Sequence, residues 1–258
     1  MKYKPRALIK ISLIIVVITA AVISVRARYV IPVLMYHHVA PAEKTDKLSV
    51  SPESFKRQIE FLINKDYNII SLNQVIDLMK NKQTRHGKNV AITFDDGYAD
   101  LYKNAYPVLK KHNLSATIFL IVDFIGKKGY LNWDEILEMA EHGITFGSHT
   151  MTHPELPDLS DEKIRREVIY SKSLLENRLK KPIDFIAYPL GAFNQKVVSI
   201  VQRAGYLGAC ATNPGKRFSS RHPYFIKRLR ISATGDNLLV FWFQCSGYYT
   251  WIKEIRKK

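Results

Sequence analysis

From Tyr29 onward, short apolar runs alternate with stretches that are apolar on one face and polar on the other. Tyr29 to Met35 reads as a strand. Ser51 is a candidate N-cap with Pro52 at the first helical position, and Phe55, Ile59, Leu62 and Ile63 come after it at helical spacing. Ile69-Ile70 is a short strand, Leu72 to Met79 a helix, Asn89 to Phe94 a strand, Tyr98 to Lys111 a helix and Ala116 to Val122 a strand. A helix over Trp133 to Glu141 is stopped by Gly143, and Ile144 to Gly147 is a strand. Ser160 to Lys180 is a long charged helix with Ile164, Val168, Ile169 and Leu174 on its buried side. Ile183 to Tyr188 is a strand, and Gln195 to Ala204 a helix ended by Gly205. Leu207 to Ala211 and Tyr224 to Ile231 are late strands, and 40–50 and 212–223 read as surface loops. Strands alternating with helices imply parallel strands joined by crossover helices. The expected fold is therefore α/β: a distorted (β/α) barrel of about seven strands, one domain over 29–258. An open doubly wound sheet is the alternative. No glycine-rich fingerprint comes after the first strand, so nucleotide binding has no support.

The amino terminus breaks this pattern. Ile11 to Val25 carries no charge and is mostly Ile, Val and Ala, with Lys2, Lys4, Arg6 and Lys10 ahead of it. Reaching back to Ala7, with Lys10 snorkelling, the stretch is long enough to be a membrane span. The positive leading flank predicts that the amino terminus stays in the cytoplasm and the body lies outside. Residues 1–28 are thus expected to be a basic flank and single-pass anchor at the cell membrane. The competing expectation is a signal peptide cut after Ala27, releasing a secreted body. Arg26 inside the small-x-small site Val25-Arg26-Ala27 argues for the anchor.

Composition narrows the function classes. Hydrophobic residues make up 47% of the 258 and charged residues 24%, which excludes wholesale disorder. Two cysteines, Cys210 and Cys245, cannot build a disulfide scaffold and read as small buried residues. The net charge is +16, and more than half of that excess lies in residues 1–28 and in the tail from Ile252. Such a distribution suits an anionic membrane surface or a wall polymer. No basic helix with interleaved aromatics is present, and nucleic acid is not expected as a partner.

Three groups of reactive residues fall where strands end, the place a β/α barrel puts its chemistry. In Thr93-Phe94-Asp95-Asp96-Gly97-Tyr98, two adjacent acids come directly after an apolar run. Neighbours at a strand end point to different sides, so one carboxylate can serve a metal and the other a water. In Ser148-His149-Thr150-Met151-Thr152-His153-Pro154, two histidines four apart converge on one ion if the segment makes a helical turn. One acid and two imidazoles leave coordination positions open, as catalysis requires. Tyr36-His37-His38 offers a histidine that titrates near working pH.

These segments resemble the polysaccharide deacetylases, carbohydrate esterase family four, also called the NodB homology domain. Thr93 to Tyr98 and Ser148 to Pro154 look like the family's first two motifs, and Phe185 to Gly191 looks like the third. Leu34 to Val39 resembles the members that deacetylate poly-N-acetylglucosamine, in which the histidine motif stands at the front of the domain. The resemblance covers about Tyr29 to Ile231. It implies that Asp96, His149 and His153 hold a divalent metal, zinc by preference, and that Asp95 is the general base. It further implies His37, ahead of His38, as general acid and the Leu190 backbone N–H as an oxyanion donor. The third motif departs from the pattern. Many members carry an arginine there that orients the base, whereas this chain has Ala187 and Tyr188, and Leu190 stands at an aromatic position. Arg228 and Arg230 are the candidates to supply the missing guanidinium, Arg228 first.

The implied function is metal-dependent hydrolysis of N-acetyl groups from an N-acetylglucosamine polymer, an exported polysaccharide or peptidoglycan, with release of acetate. The alternatives are an O-acetyl esterase acting on xylan or another glycan, and a non-catalytic, membrane-tethered glycan-binding module. Trp133, Tyr188 and Tyr248 are candidates to stack on sugar rings.

Overall fold

The computed structural model describes residues 5–41, 47–81, 87–212 and 222–255. Side chains of 5–11, 234, 235 and 255 lie outside the description, as do Lys2, Lys4, part of each expected loop (42–46 and 213–221) and the last three residues. Strands run in chain order as β1 (Val33–Tyr36), β2 (His38–Val39), β3 (Ser49–Val50), β4 (Asn68–Ile69), β5 (Asn89–Phe94) and β6 (Ala116–Leu120). They continue as β7 (Ile144–Ser148), β8 (Phe185–Ala187), β9 (Gly208–Ala211), β10 (Ile226–Lys227) and β11 (Leu229–Arg230). The helices are α1 (Pro5–Arg26), α2 (Pro52–Asn64), α3 (Leu72–Lys80), α4 (Tyr106–Lys111) and α5 (Trp133–Glu141). After them come α6 (Asp161–Arg165), α7 (Ser171–Leu179), α8 (Gln195–Arg203), α9 (Leu238–Gln244) and α10 (Tyr249–Ile255).

Local chemistry explains the best-defined helices. Ser51 accepts the Ser54 N–H at 3.2 Å, Pro52 opens α2, and Phe55, Ile59 and Leu62 form its buried stripe. Asn132 and Glu135 close a reciprocal capping box on α5. Asp161 to Leu179 is not one regular helix: a π-helical turn over Arg166–Tyr170 separates α6 from α7. The extra residue in that turn rotates α7 relative to α6. Ile164, Val168, Leu175 and Leu179 are buried, whereas Ile169 and Leu174, expected inside, are exposed.

The barrel order is β10-β9-β8-β7-β6-β5-β1-β11, every pair parallel, with β4 added beside β5. The segment expected to be one strand over Tyr224–Ile231 is broken at Arg228. Its first half pairs with β9 (Ile226↔Cys210) and its second half with β1 (Leu34↔Leu229). A single stretch of chain thus bridges the seam, and the circuit has seven strand positions. Alternate strand residues face inward. Val33, Ala91, Phe119, Phe185, Ala187, Cys210 and Ile226 form one cluster with Leu72, Val75, Ile76 and Met79 of α3, which closes the floor. The other strand faces pack under the outer helices. Gly147 makes room for this interior: a Cβ there would lie 2.6 Å from the Phe119 ring. Cys210 and Cys245 are both free and buried.

Among the described residues, no helix is long and apolar enough to cross a membrane. The side chains of α1 are described from Ser12 onward, and Leu13 to Ile18 are all exposed.

Candidate active site

The site occupies the carboxyl-terminal ends of the strands. β5 ends at Phe94, and the next two residues diverge as their strand-end position demands. Asp95 turns toward the barrel axis. Arg228, 1% exposed, reaches across the interior from the seam. Its Nη1 donates to Asp95 Oδ1 at 2.6 Å and its Nη2 to Oδ2 at 2.7 Å. The same Nη1 lies 3.3 Å from Thr93 Oγ1, which itself donates to the Leu34 carbonyl. Phe119 lies beneath the guanidinium, 5.3 Å from ring centre to charge. Burial pushes the Asp95 carboxyl up, but the Arg228 charge and its hydrogen bonds outweigh that and hold it down at about 2. The choice between Arg228 and Arg230 is thereby resolved in space: Arg228 grips Asp95, and Arg230 lines the cleft above.

Asp96 takes the other direction, in a left-handed conformation with φ of 70°. Its Oδ1 lies 3.5 Å from His149 Nε2 and 3.8 Å from His153 Nε2. One donor atom from each of the three residues falls within a 4.8 Å set. These spacings exceed a hydrogen bond and approach the separation of about 3.3 Å between donors sharing one tetrahedral ion. His149 Nδ1 meets the Ala187 carbonyl at 2.8 Å. Only a protonated nitrogen can serve that carbonyl, so Nε2 is left with its lone pair toward Asp96. Burial, ahead of the opposing Asp95 and Asp96 charges, lowers the His149 pKa and favours the neutral ligand form. The donor set therefore fits a divalent metal ion.

Contrary to the expectation from their spacing, the histidines do not converge through a helical turn. Thr150 and His153 are both left-handed, with φ of 69° and 63°. Side chains hold this turn together. Ser148 Oγ accepts the Thr150 N–H, and Thr150 Oγ1 accepts the His153 N–H, each at 3.0 Å. Glu167, buried in the π-helical turn, accepts the Met151 and Thr152 N–H groups at 2.8 and 2.9 Å and the Thr152 hydroxyl at 2.8 Å. Glu167 was not legible as a site residue. The one hint in the sequence is an acid inside the apolar stripe of a helix, between Ile164 and Val168.

The two front histidines separate clearly. His37 lines the cleft with Asp95, Asp96, His149 and His153, and its buried Nδ1 has no hydrogen-bond partner among the described residues. Burial lowers its pKa, the nearby Arg228 and Arg230 charges adding to the effect while Asp95 and Asp96 oppose it. His38 points elsewhere. Its Nδ1 meets Asp100 at 2.6 Å and its ring stacks on Tyr98 at 3.5 Å. The Tyr98 phenol is pushed up by burial first and then by the adjacent Asp96 carboxylate.

Leu190 sits in the turn Pro189–Gly191 with φ of 56° and its side chain 69% exposed at the cleft. The Gly191 and Ala192 N–H groups are taken by the Tyr188 and Pro189 carbonyls, whereas no described carbonyl claims the Leu190 N–H. Gly191 is also left-handed, and a Cβ there would lie 2.8 Å from Thr212. Of the aromatic candidates for sugar stacking, Tyr188 lines the cleft but is buried, Trp133 is covered by the Arg178 guanidinium at 5.2 Å, and Tyr248 packs on Tyr29. Tyr29 precedes β1, so Tyr248 belongs to the opposite pole.

A family model described as polysaccharide deacetylase matches residues 82–209. The Bacillus subtilis protein YxkH, named for polysaccharide deacetylation, is 34% identical over 202 residues, covering 78% of this chain and 71% of that protein. Poly-beta-1,6-N-acetyl-D-glucosamine N-deacetylase of Staphylococcus aureus is 29% identical over 198 residues, covering 71% of this chain and 68% of that one. The solved Streptococcus pyogenes deacetylase PplD, in complex with acetate, superposes with a TM-score of 0.74 at 31% identity, covering 82% of this chain and 97% of that one. The fold is thus shared with a solved deacetylase, and this chain belongs to the polysaccharide deacetylase family, hydrolases of carbon–nitrogen amide bonds.

Proposed function

We propose that the protein removes N-acetyl groups from an N-acetylglucosamine-containing extracellular polysaccharide or peptidoglycan, releasing acetate and leaving free amines on the polymer. The observation that carries this reading is the division of labour between two adjacent carboxylates, Asp95 clamped by an arginine and Asp96 turned to two imidazoles. The names of the S. aureus relatives and the acetate bound to the S. pyogenes deacetylase support it.

Asp96, His149 and His153 would hold the divalent ion, zinc being the first choice for two imidazoles and one carboxylate. When bound, such an ion acidifies a water and polarises the acetyl carbonyl. Asp95 accepts the water's proton on the lone pairs that Arg228 leaves open. Its low pKa keeps it ionised throughout the working range, and the clamp keeps it aimed. The Leu190 N–H donates to the carbonyl oxygen as negative charge develops there. His37 delivers a proton to the departing amine nitrogen, which is otherwise too basic to leave.

We place this chemistry outside the cytoplasm, on a single-pass anchor. The apolar side chains of Leu13, Ile14, Ile15, Val16, Val17 and Ile18 are exposed around more than a full turn of α1, which suits a lipid surround, and the positive flank sets the direction. The test is acetate release by the detergent-solubilised full chain from N-acetylglucosamine oligomers, with and without a chelator. Chelator-sensitive release is expected. Release from O-acetylated xylan oligomers alone would overturn the amide assignment, and no release from either would overturn the enzymatic one.

A further inference from the structure

Among the described residues, the charges around the cleft do not balance. Its acids are Asp95 and Asp96. Arg228 neutralises Asp95 from inside the barrel, and Asp96 faces the two imidazoles. Two further cations, Lys47 and Arg230, line the same cleft of about 370 Å3. Neither has a carboxylate partner among the described residues. Some other cations on the body are paired, among them Lys227 with Glu254 at 2.6 Å, Lys172 with Glu176 at 2.8 Å and Lys110 with Glu138 at 3.4 Å. An unpaired cation on a solvated face is commonplace, but two that converge on the rim of a reactive cleft create a directed field.

Both adjoin hydrogen-bonded strand backbone. Arg230 belongs to β11, its Cα in register with Met35, and the Ile231 N–H donates to the Met35 carbonyl at 2.9 Å. Lys47 precedes Leu48, whose carbonyl accepts the His38 N–H at 3.1 Å, and then β3. A neutral N-acetylglucosamine chain offers these cations hydrogen-bond acceptors but no counter-charge, and a chain already bearing freed ammonium groups would be repelled by them. A saccharide with an anionic substituent would pair with both.

We propose that Lys47 and Arg230 form an anion subsite that selects polymers carrying a carboxylate or phosphodiester on the residue next to the acetylated sugar. This inference rests on the deacetylase reading and sharpens its substrate class. It also sets a limit on the extent of reaction: each amine released on a chain lowers the affinity of that stretch for the cleft, so deacetylation stays sparse.

The test measures kcat/KM for the zinc-loaded full chain on three oligomers of equal length: N-acetylglucosamine alone, N-acetylglucosamine alternating with N-acetylmuramic acid, and N-acetylglucosamine bearing glycerol phosphodiesters. At least one anionic oligomer is expected to be preferred over the neutral one by about three- to tenfold, the yield of two partly exposed charge contacts. The arm that shows the preference identifies carboxylate or phosphodiester. Raising salt from about 0.05 M to about 0.5 M should shrink the preference, because exposed pairs are screened. Arg230→Gln and Lys47→Gln should each lower the ratio, and the double substitution should bring it near one. A ratio of one in the unmodified chain, or a ratio that survives the double substitution, overturns the subsite while leaving the deacetylase reading intact. Absence of acetate from all three oligomers overturns both.

Discussion

The two poles of the barrel hold cavities of nearly equal size and opposite character. The cleft at the carboxyl-terminal ends measures about 370 Å3, and the cavity at the other end about 350 Å3. In the latter, polar groups are satisfied: Lys181 donates to the Ala140 carbonyl at 2.7 Å and Asn73 to Asp184 at 3.1 Å. Left-handed backbone divides in the same way. Asp66, Asn113 and Lys180 adopt positive φ where α2, α4 and α7 end, an ordinary way to stop a helix. Asp96, Thr150, His153 and Leu190 adopt it at the cleft, and each is a proposed ligand or donor or holds one in place. Volume therefore does not distinguish the reactive pole. Backbone strain without a helix to end, together with clamped or orphaned polar groups, does.

This contrast can be broken by substitution, and the largest effect should come at Asp95. Asp95→Asn is expected to lower kcat by about a thousandfold while purified protein retains its metal by elemental analysis. Wild-type turnover in that variant would remove the base assignment. Next is Arg228→Met, which leaves a buried carboxylate alone and should cost about 3 kcal/mol in denaturant unfolding. With the guanidinium gone, the main opposition to burial is lost and the Asp95 pKa rises from about 2, so the acid limb of activity should move to higher pH. In the intact protein the pair's contribution is complete above the ordinary carboxyl value of 3.8 and is lost as pH falls through about 2.

Glu167→Gln should act through the histidine turn alone. Metal affinity measured by competition with a chelator is expected to fall about ten- to a hundredfold, with the fold intact by circular dichroism. The smallest effect sharpens the contrast between the poles. Lys180→Gly relieves a left-handed lysine that has no chemical duty, and should raise stability by up to about 1 kcal/mol with unchanged acetate release. Thr150→Gly relieves the same backbone conformation but deletes the hydroxyl that accepts the His153 N–H, so it should lose metal affinity. Equal behaviour of these two variants would contradict the functional reading of cleft strain.

Much of this was legible in residue order. The span Asn89–Phe94 and the helix Trp133–Glu141 match the structure residue for residue, because each carries its own local signal, a short apolar run or a cap. Asp95-Asp96 and the two later histidines were legible as chemistry for the same reason: their spacing is local. The features that were not legible depend on distant contacts. The π-helical turn that buries Glu167 answers to the loop it must hold, not to its own sequence. The break at Arg228 arises because the segment has two different neighbours, β9 and β1. The histidine turn is left-handed because Ser148, Thr150 and Glu167 supply its hydrogen bonds, and spacing alone suggested a helix.

The stave that completes the barrel also carries the guanidinium that Asp95 needs. Arg228 comes 133 residues after Asp95, so a nascent polypeptide emerging from the ribosome holds its aspartate pair and both imidazoles before that counter-charge exists. Until the last stave docks, Asp95 cannot be both dry and ionised. A product terminated ahead of Arg228 would therefore be inert rather than partly active.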